Sequence, residues 1–251
     1  MSRMQGLRPE CLHWRPRSER LPLSEGEVHV WRVAAADHVA RVADLQALLA
    51  PEERMRAARF RRPTDRARWV VGRALLRRVL GRYLEADPAT LCFEYGHYGK
   101  PTLRAVDNRL GLCFNVSHSD DCILYAVGRQ AVGVDVERLR ADLDALELAK
   151  RWFAADEYRT LHALSSPLQL KAFCSAWTRK ECYLKARGIG LTMGLDHIKV
   201  SVDPQAPAAL LKDASDPLAP SRWSLLDLEV GPGYAAALAM EGKAEVTCLR
   251  A

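Results

Sequence analysis

The placement of acidic residues in two short segments constrains this chain more than any other feature. Residues 132–137 alternate valine with glycine, aspartate and glutamate, a period of two that predicts a β-strand with one aliphatic and one acidic face. Asp135 and Glu137 would stand on the same side of that strand, roughly 6.6 Å apart. At an effective dielectric constant near 20, two such charges repel by about 2.5 kcal/mol.

A divalent cation would remove this repulsion, because Mg²⁺ binds one or two carboxylates and completes its shell with water and phosphate oxygens. A solvated edge strand with ordinary surface acids explains the same residues, since short acidic motifs often occur by chance. Residues 132–137 alone therefore leave both interpretations open.

The second segment predicts a helix. Apolar residues recur at helical spacing and define a buried stripe, formed by Leu170, Phe173, Trp177 and Leu184. Glu181 and Lys185, four residues apart, lie on one flank of the stripe, and Lys180 lies on the other. An ordinary ion pair between Glu181 and Lys185 is the simpler alternative, but side chains at such a rim can also face a cleft. The acidic strand and this helix together favour a divalent-metal site that handles phosphate.

The two segments, Gly-Val-Asp-Val-Glu at 133–137 and Trp-Thr-Arg-Lys-Glu-Cys-Tyr-Leu-Lys at 177–185, resemble the signature pair of 4′-phosphopantetheinyl transferases of the surfactin-synthetase-activating type. Further motifs agree with that family in order and spacing: Gly-Lys-Pro at 99–101, Phe-Asn-Val-Ser-His-Ser at 114–119 and Gly-Ile-Gly-Leu at 188–191. The helical stretch from residue 51 to 73 is also similar. The match runs over about residues 50–200 and resumes near 231–234.

The resemblance implies an α+β fold in which two similar α+β subdomains form a pseudo-dimer within one chain. We place an N-terminal subdomain, on the coenzyme A nucleotide side, at residues 1–128. A C-terminal subdomain, with the metal-binding and catalytic acids, is expected at 129–251. A weak internal repeat agrees with this division, because residues 121–127 and 233–239 each combine a turn with an apolar strand containing Tyr-Ala.

The resemblance also implies roles for individual residues. Asp135, Glu137 and Glu181 are expected to bind Mg²⁺, and the expected catalytic residues are Glu181, Lys185 and Asp135. Glu181 would act as the base for an incoming serine hydroxyl, and Lys185 would contact phosphate. The expected coenzyme A contacts are Arg56, Arg68, Lys100, Pro101, Ser117, His118, Asp135, Lys180, Glu181 and Lys185.

Within that set, Arg68 and His118 are expected near the 3′-phosphate of coenzyme A. Glu53 departs from the family pattern, because some relatives carry a basic residue at this position. The departure leaves the nucleotide end of the expected binding site less well defined than the metal end.

The implied activity is the Mg²⁺-dependent transfer of 4′-phosphopantetheine from coenzyme A to a serine of an apo acyl or peptidyl carrier protein, with release of adenosine 3′,5′-bisphosphate. Carrier domains of this type are acidic, so the arginine-rich run at 54–78 could speed their encounter with this protein. A solvated basic face is the alternative explanation of that run.

Two other function classes use similar residues. A nucleic-acid-binding module would employ the arginine run, but three clustered acids repel a phosphate backbone unless a metal is bound. A Mg²⁺-dependent nuclease would employ the acids, but its lysine usually follows a strand acid by two residues, where this chain has Leu139 after Glu137. Both remain alternatives to the transferase.

Composition limits the cellular compartment and the kinds of binding partner that we expect for this chain. Lys and Arg outnumber Asp and Glu by 37 to 31, and the net charge of +6 favours an anionic ligand or an acidic partner. The seven cysteines are odd in number and form no Cys-x-x-Cys, which predicts thiols in a reducing compartment. There is no signal-peptide core and no apolar run of membrane-spanning length. We therefore expect a cytoplasmic monomer with neither a membrane nor a nucleic-acid partner.

Local patterns predict the order of the elements. Alternation between turn residues predicts strands near 28–33, 91–95, 112–117, 122–127, 131–137, 196–202, 222–229 and 234–240. Helices are expected from Asp37 to about 49, from Pro51, from Thr64 to about 84, and within 142–187. Residues 203–221, rich in proline, alanine and aspartate, predict a surface loop.

Overall fold

The computed structural model describes Trp14, residues 22–190 and residues 194–251. The chain forms two compact units: the first contains Trp14–Arg129 together with Glu245–Ala251, and the second contains residues 130–244. Two residues mentioned earlier lie outside the described part of the chain: Cys11, one of the seven cysteines, and Leu191 of the Gly-Ile-Gly-Leu motif.

The elements of the first unit begin with a strand, a 3₁₀ helix and three helices: β1 (Glu27–Ala34), the 3₁₀ helix Ala35–Arg41, α1 (Val42–Gln46), α2 (Pro51–Ala58) and α3 (Pro63–Leu84). After a 3₁₀ turn at Pro88–Thr90, four strands complete this part of the chain: β2 (Phe93–Tyr95), β3 (Pro101–Leu103), β4 (Cys113–Ser119) and β5 (Cys122–Gly128).

The second unit starts with a strand and three helices: β6 (Val132–Arg138), α4 (Ala145–Trp152), α5 (Ala155–His162) and α6 (Ser166–Arg187). It continues through the 3₁₀ turn Leu195–His197, β7 (Ile198–Val200), β8 (Leu210–Asp213), α7 (Ala219–Arg222), β9 (Trp223–Asp227) and β10 (Tyr234–Glu241). The final strand, β11 (Glu245–Arg250), returns the chain to the first unit.

The sheet of the first unit has the order β11-β1-β5-β4, with β11 parallel to β1 and the other neighbours antiparallel. Helix α3 shares one hydrophobic core with this sheet. Two buried hydrogen bonds connect them: Trp31 Nε1 donates to Tyr83 Oη at 2.8 Å, and Tyr125 Oη donates to the carbonyl of Gly72 at 2.7 Å. These bonds fix the helix over the strands, so one face of α3 is committed to the core.

The sheet of the second unit has the order β6-β10-β9, all antiparallel, and α6 packs on β6 and β10. Gly133 allows this close packing. A Cβ atom at that position would lie 2.0 Å from the carbonyl oxygen of Cys182 and 2.4 Å from the amide nitrogen of Ala186. Helix α6 ends where Gly188 adopts a left-handed conformation with φ of 68°, the usual role of glycine after a helix.

The two units repeat one topology. Each has three antiparallel strands in the same order, β1-β5-β4 in the first and β6-β10-β9 in the second. Each also places a long helix of 22 residues, α3 or α6, between its first strand and the strands that complete the sheet. The expectation of an α+β protein built from two similar subdomains is therefore confirmed.

Several local expectations differ from the structure. The helix expected to begin at Asp37 is a 3₁₀ helix followed by the short α1, and α3 starts at Pro63 without a side-chain cap from Thr64. The expected loop at 203–221 contains β8 and α7, and β11 was not expected at all. Because β11 pairs with β1, residues 245–251 belong to the first unit rather than to the expected second subdomain at 129–251.

Candidate active site

The acidic face of β6 is covered by helix α6 instead of solvent. Asp135 is only 3% exposed, and Lys185 Nζ donates to its Oδ1 at 2.6 Å. The contact depends on Gly133, which lies two residues before Asp135 on the same face of β6. Because glycine has no side chain, the backbone of α6 can approach the strand closely there. The interpretation of residues 132–137 as a solvated edge strand is therefore wrong at Asp135.

Glu181 lies one helical turn before Lys185, and the charges of Asp135 and Glu137 on β6 influence the pKa of its carboxyl. Burial, together with the charges of Asp135 and Glu137, raises the pKa of the Glu181 carboxyl to about 7, and the charge of Lys185 opposes this rise. Its Oε1 is buried and has no hydrogen-bond partner among the residues that the structure describes. The three acids named from the sequence thus interact electrostatically across β6 and α6.

These acids do not yet form a metal cage. Within the described part of the chain, no group of three or more Asp, Glu, His or Cys side chains comes close enough together to hold a metal ion. Glu137 is only half-buried near the end of β6, and Lys185 already donates to Asp135. The arrangement is the buried carboxylate of Asp135 and the half-buried carboxylate of Glu181 with a lysine, and a third carboxylate, Glu137, acts on Glu181 through its charge.

Lys180 is not placed where a ligand contact was expected. Its side chain is fully buried, and Nζ donates to Glu157 Oε2 at 2.6 Å, to the carbonyl of Leu195 at 2.8 Å and to the carbonyl of Ile198. An ammonium group has three N–H donors, so all of them are used within the second unit. The expected contact between Lys180 and coenzyme A is therefore wrong for this structure, and Lys180 instead anchors α6.

The first unit contains a cavity of about 500 Å³ between α2, α3 and the strands. Four of the residues expected to bind coenzyme A line it: Arg56, Arg68, Pro101 and His118. The guanidinium of Arg56 lies 5.7 Å from the centre of the Trp69 ring, and Arg68 Nη2 donates to Asp120 Oδ1 at 2.6 Å. Residues that are up to 62 positions apart in the sequence thus line one cavity.

Ser117 and His118 occupy β4 itself rather than the turn after it. Neighbouring residues of a strand point to opposite faces, and accordingly His118 is exposed at the cavity whereas Ser117 is buried and does not line it. Lys100 precedes β3 and is half-buried, and burial lowers the pKa of its ammonium group. Of the residues expected at the nucleotide end, Lys100 and Ser117 thus lie outside the lining of the cavity.

Arg73 also lines the cavity, although no ligand contact was expected for it. Its Nε donates to Glu53 Oε1 and its Nη2 donates to the hydroxyl of Tyr95 at 2.6 Å. Glu53 and Arg73 are 20 residues apart on two different helices, so no local pattern links them. Only the unusual acid at position 53 within a basic stretch could have drawn attention to this pair.

Comparisons with known proteins agree with the motifs. The family model described as the 4′-phosphopantetheinyl transferase superfamily matches residues 131–239, and a model of the N-terminal part of 4′-phosphopantetheinyl transferases matches residues 31–129. The chain is 39% identical over 230 residues to the 4′-phosphopantetheinyl transferase HetI of Nostoc sp., covering 91% of this chain and 94% of that protein. It is 31% identical over 187 residues to the 4′-phosphopantetheinyl transferase Sfp of Bacillus subtilis, covering 74% and 79% of the two chains.

No helix in the described part of the chain is long and apolar enough to cross a membrane.

Proposed function

The chain belongs to the 4′-phosphopantetheinyl transferase superfamily, and we propose that it transfers the 4′-phosphopantetheine group of coenzyme A to a serine hydroxyl of an apo acyl or peptidyl carrier protein. We propose further that the reaction requires Mg²⁺ and releases adenosine 3′,5′-bisphosphate. The observation that carries this proposal is the contact between α6 and β6, which brings Glu181, Lys185 and Asp135 together in a partly closed site.

Asp135, Glu137 and Glu181 are the residues that would hold the metal. All three supply the oxygen ligands that Mg²⁺ prefers. The buried Oε1 of Glu181 has no hydrogen-bond partner among the described residues, and burial together with the neighbouring acids raises the pKa of Glu181 to about 7. A divalent cation would therefore relieve an unfavourable crowding of carboxylates. A bound Mg²⁺ would supply charge neutralisation for the phosphoryl oxygens of coenzyme A.

Glu181 is the proposed base for the serine hydroxyl of the carrier. A general base is most effective when its pKa lies near the working pH, and the pKa of about 7 for Glu181 meets this condition. The reaction is an in-line attack of the serine oxygen on the β-phosphorus, with adenosine 3′,5′-bisphosphate leaving. Such a reaction depends on positioning and on charge stabilisation more than on a protein nucleophile.

Lys185 is the proposed contact for the phosphates on the same helix face. In the structure its Nζ donates to Asp135 Oδ1, and its side chain is 30% exposed. The proposed phosphate contact would be a hydrogen bond from this ammonium group, which has three N–H donors. Asp135 would thereby hold Lys185 in place while also serving the metal.

The cationic cavity of the first unit is the proposed site for the nucleotide end of coenzyme A. Arg56, Arg68, Pro101 and His118 line it, and His118 faces it from β4. Arginine is well suited to phosphate because its planar guanidinium can donate two parallel hydrogen bonds. Lys100 and Ser117 remain proposed coenzyme A contacts on the strength of the family motif, although they do not line this cavity.

The acidic surface of a carrier protein is the proposed complement of the arginine-rich segment around α2 and α3. Besides Arg56 at the cavity, five of its arginines are exposed: Arg54, Arg59, Arg61, Arg62 and Arg66. Opposite charges on two partners mainly increase the rate of encounter, and salt reduces this effect. We propose that the protein acts on its carrier as a cytoplasmic monomer, without nucleic acid or membrane.

A mass-spectrometric transfer assay tests the function directly. The protein is mixed with Mg²⁺, coenzyme A and a panel of apo carrier proteins, and the mass of each carrier is measured. We expect a phosphopantetheine adduct with the wild type, none with Asp135→Ala or Glu181→Ala, and a reduced rate with Lys185→Ala. Glu147→Ala, which removes an exposed acid from α4 in the same unit, is the matched control and should retain activity. Absence of any adduct across the panel, together with cleavage of DNA, would instead support a nuclease.

A further inference from the structure

The carboxylate of Glu53 lies between two guanidinium groups in the first unit. Glu53 is 3% exposed, Arg77 Nε donates to its Oε2 at 2.7 Å, and Arg73 Nε donates to its Oε1. Burial alone would raise the pKa of Glu53, but the hydrogen bond from Arg77 and the charge of Arg73 hold that pKa below its usual value. One negative charge therefore faces two positive charges, which leaves an excess of positive charge in a nearly buried cluster.

Arg77 cannot be the group that offers this excess charge to a ligand. Its side chain is 1% exposed, and Nη1 donates at 2.9 Å to the carbonyls of both Pro88 and Leu91. Its Nε is occupied by Glu53. Backbone carbonyls thus surround this guanidinium and hold it inside the fold.

Arg73, unlike Arg77, can contact a ligand, because it forms part of the cavity wall. Its guanidinium carbon lies 4.0 Å from the centre of the Phe93 ring, which supports it from one side. Glu53 fixes Nε and the Tyr95 hydroxyl fixes Nη2, whereas Nη1 has no hydrogen-bond partner among the described residues. The side chain is held at three points, and its remaining donors are the ones available at the cavity.

We propose that Arg73 binds the 3′-phosphate of coenzyme A in this cavity and that Glu53 positions it there, an inference that rests on the proposed transferase function. The acid at position 53 then still contributes to the nucleotide site. Glu53 puts a negative charge on α2 where a base was expected, but it orients the guanidinium of Arg73 on α3.

The neighbouring cations do not make Arg73 redundant. Arg68 lies on the same cavity but is 41% exposed and shares its charge with Asp120, so it is hydrated and less constrained. A buried guanidinium whose orientation is already fixed loses little conformational freedom on binding a phosphate, and its hydrogen bonds are less screened by water. Arg73 is therefore the contact that should distinguish a ligand with a 3′-phosphate from one without it.

Isothermal titration calorimetry with coenzyme A and with 3′-dephospho-coenzyme A tests the proposal. The variants are Arg73→Met and the matched control Arg104→Met, which removes an exposed arginine from the same unit outside the cavity lining. We expect Arg73→Met to weaken binding of coenzyme A by roughly 10- to 100-fold, the usual value of a charge-assisted contact, and binding of the dephospho ligand by less than about 3-fold. In the transfer assay, KM for coenzyme A should rise by a similar factor with kcat nearly unchanged.

A second variant covers the case in which Arg73→Met fails to fold, as shown by its melting temperature. Tyr95→Phe removes only the hydroxyl that holds Nη2 on a residue that is 48% exposed, and it should weaken binding of coenzyme A alone by about 3-fold. An unchanged affinity of both variants for coenzyme A, or equal losses for the two ligands, overturns the role of Arg73 while leaving the transferase intact. A wild-type protein that neither binds coenzyme A nor modifies any carrier overturns the proposed function itself, and Arg73 with it.

Discussion

Replacing Glu181 with glutamine should make the protein more stable at alkaline pH and change little at acidic pH. Glutamine has the shape of the protonated acid but cannot ionise. In the wild type, burial and the charges of Asp135 and Glu137 raise the pKa of Glu181 from about 4.5 to about 7. The substitution therefore removes an unfavourable charge only where that charge exists.

The sign and size follow from the two pKa values. In the unfolded chain Glu181 ionises near pH 4.5, whereas in the folded protein it keeps its proton until about pH 7. The folded state thus binds more protons in this interval, and the wild type loses stability as the pH rises from 4.5 to 7. The full shift is a factor of about 300 in proton affinity, or roughly 3 kcal/mol, which solvent screening of a partly accessible group reduces to about 2 kcal/mol.

Thermal unfolding of both proteins at pH 5 and pH 8, without divalent cations, measures this effect. Since about 1 kcal/mol moves the melting temperature of a protein of this size by roughly 2–4 °C, the variant should gain about 4–8 °C over the wild type at pH 8 relative to pH 5. Titrating groups remote from Glu181 contribute equally to both proteins, so they cancel in the difference. Glu147→Gln, an exposed acid on α4, should show no such dependence on pH.

If the melting temperatures of Glu181→Gln and the wild type differed by the same amount at pH 5 and at pH 8, the inference that burial and the neighbouring acids raise the pKa of Glu181 would be refuted. The same experiment with added Mg²⁺ extends the test to the proposed metal site. A ligand that binds only the folded state stabilises it by about 2.7 kcal/mol at one hundred times its dissociation constant. Mg²⁺ should therefore raise the melting temperature of the wild type at pH 8 more than that of Glu181→Gln.

Three further changes test the contacts of α6. Gly133→Ala should destabilise the second unit by about 3 kcal/mol or more in denaturant unfolding, because its Cβ would meet the Cys182 carbonyl; an alanine variant as stable as the wild type would contradict the close packing. Asp135→Asn should leave the melting temperature within a few degrees of wild type but reduce kcat at least about 100-fold, and near-normal turnover would count against its role. Lys180→Met should lower stability by about 3 kcal/mol because Glu157 stays buried without its partner, while affinity for coenzyme A stays within about 2-fold; a selective loss of coenzyme A affinity would restore the original expectation.

Local patterns predicted those elements whose stability depends on neighbouring residues in the sequence. Strand β6 and helix α6 emerged from a period of two and a period of 3.6, and both were expected within two residues of their observed ends at 132–138 and 166–187, apart from the start of α6. By contrast, β11 is held by β1, more than 200 positions earlier in the chain. Its six residues carry no signal that reports a partner so distant. The short β8 was missed for a related reason, because its pairing with β7 outweighs a composition typical of loops.

At the candidate site, the sequence identified the residue types that meet but not the geometry that orders them. Asp135, Glu181 and Lys185 were expected together, and the structure adds Gly133 as the reason that they can meet. The sequence could not distinguish Lys180 from Lys185, since both lie beside the same apolar stripe. Which lysine is buried depends on a carboxylate from α5, and that contact is tertiary.

Each unit has a glutamate at the equivalent position of the repeat, and the two glutamates differ in the number of basic side chains that they bind. Glu53 on α2 and Glu157 on α5 hold equivalent places: each accepts a hydrogen bond from the backbone three residues earlier, Ala50 or Ala154, and each binds a base on the long helix of its unit. In the second unit one carboxylate meets one lysine, so the charges of the pair are balanced. In the first unit the carboxylate meets two arginines, so a positive charge remains beside a cavity. The two units thus differ in the number of bases around an equivalent glutamate, and the first keeps a net positive charge at that position.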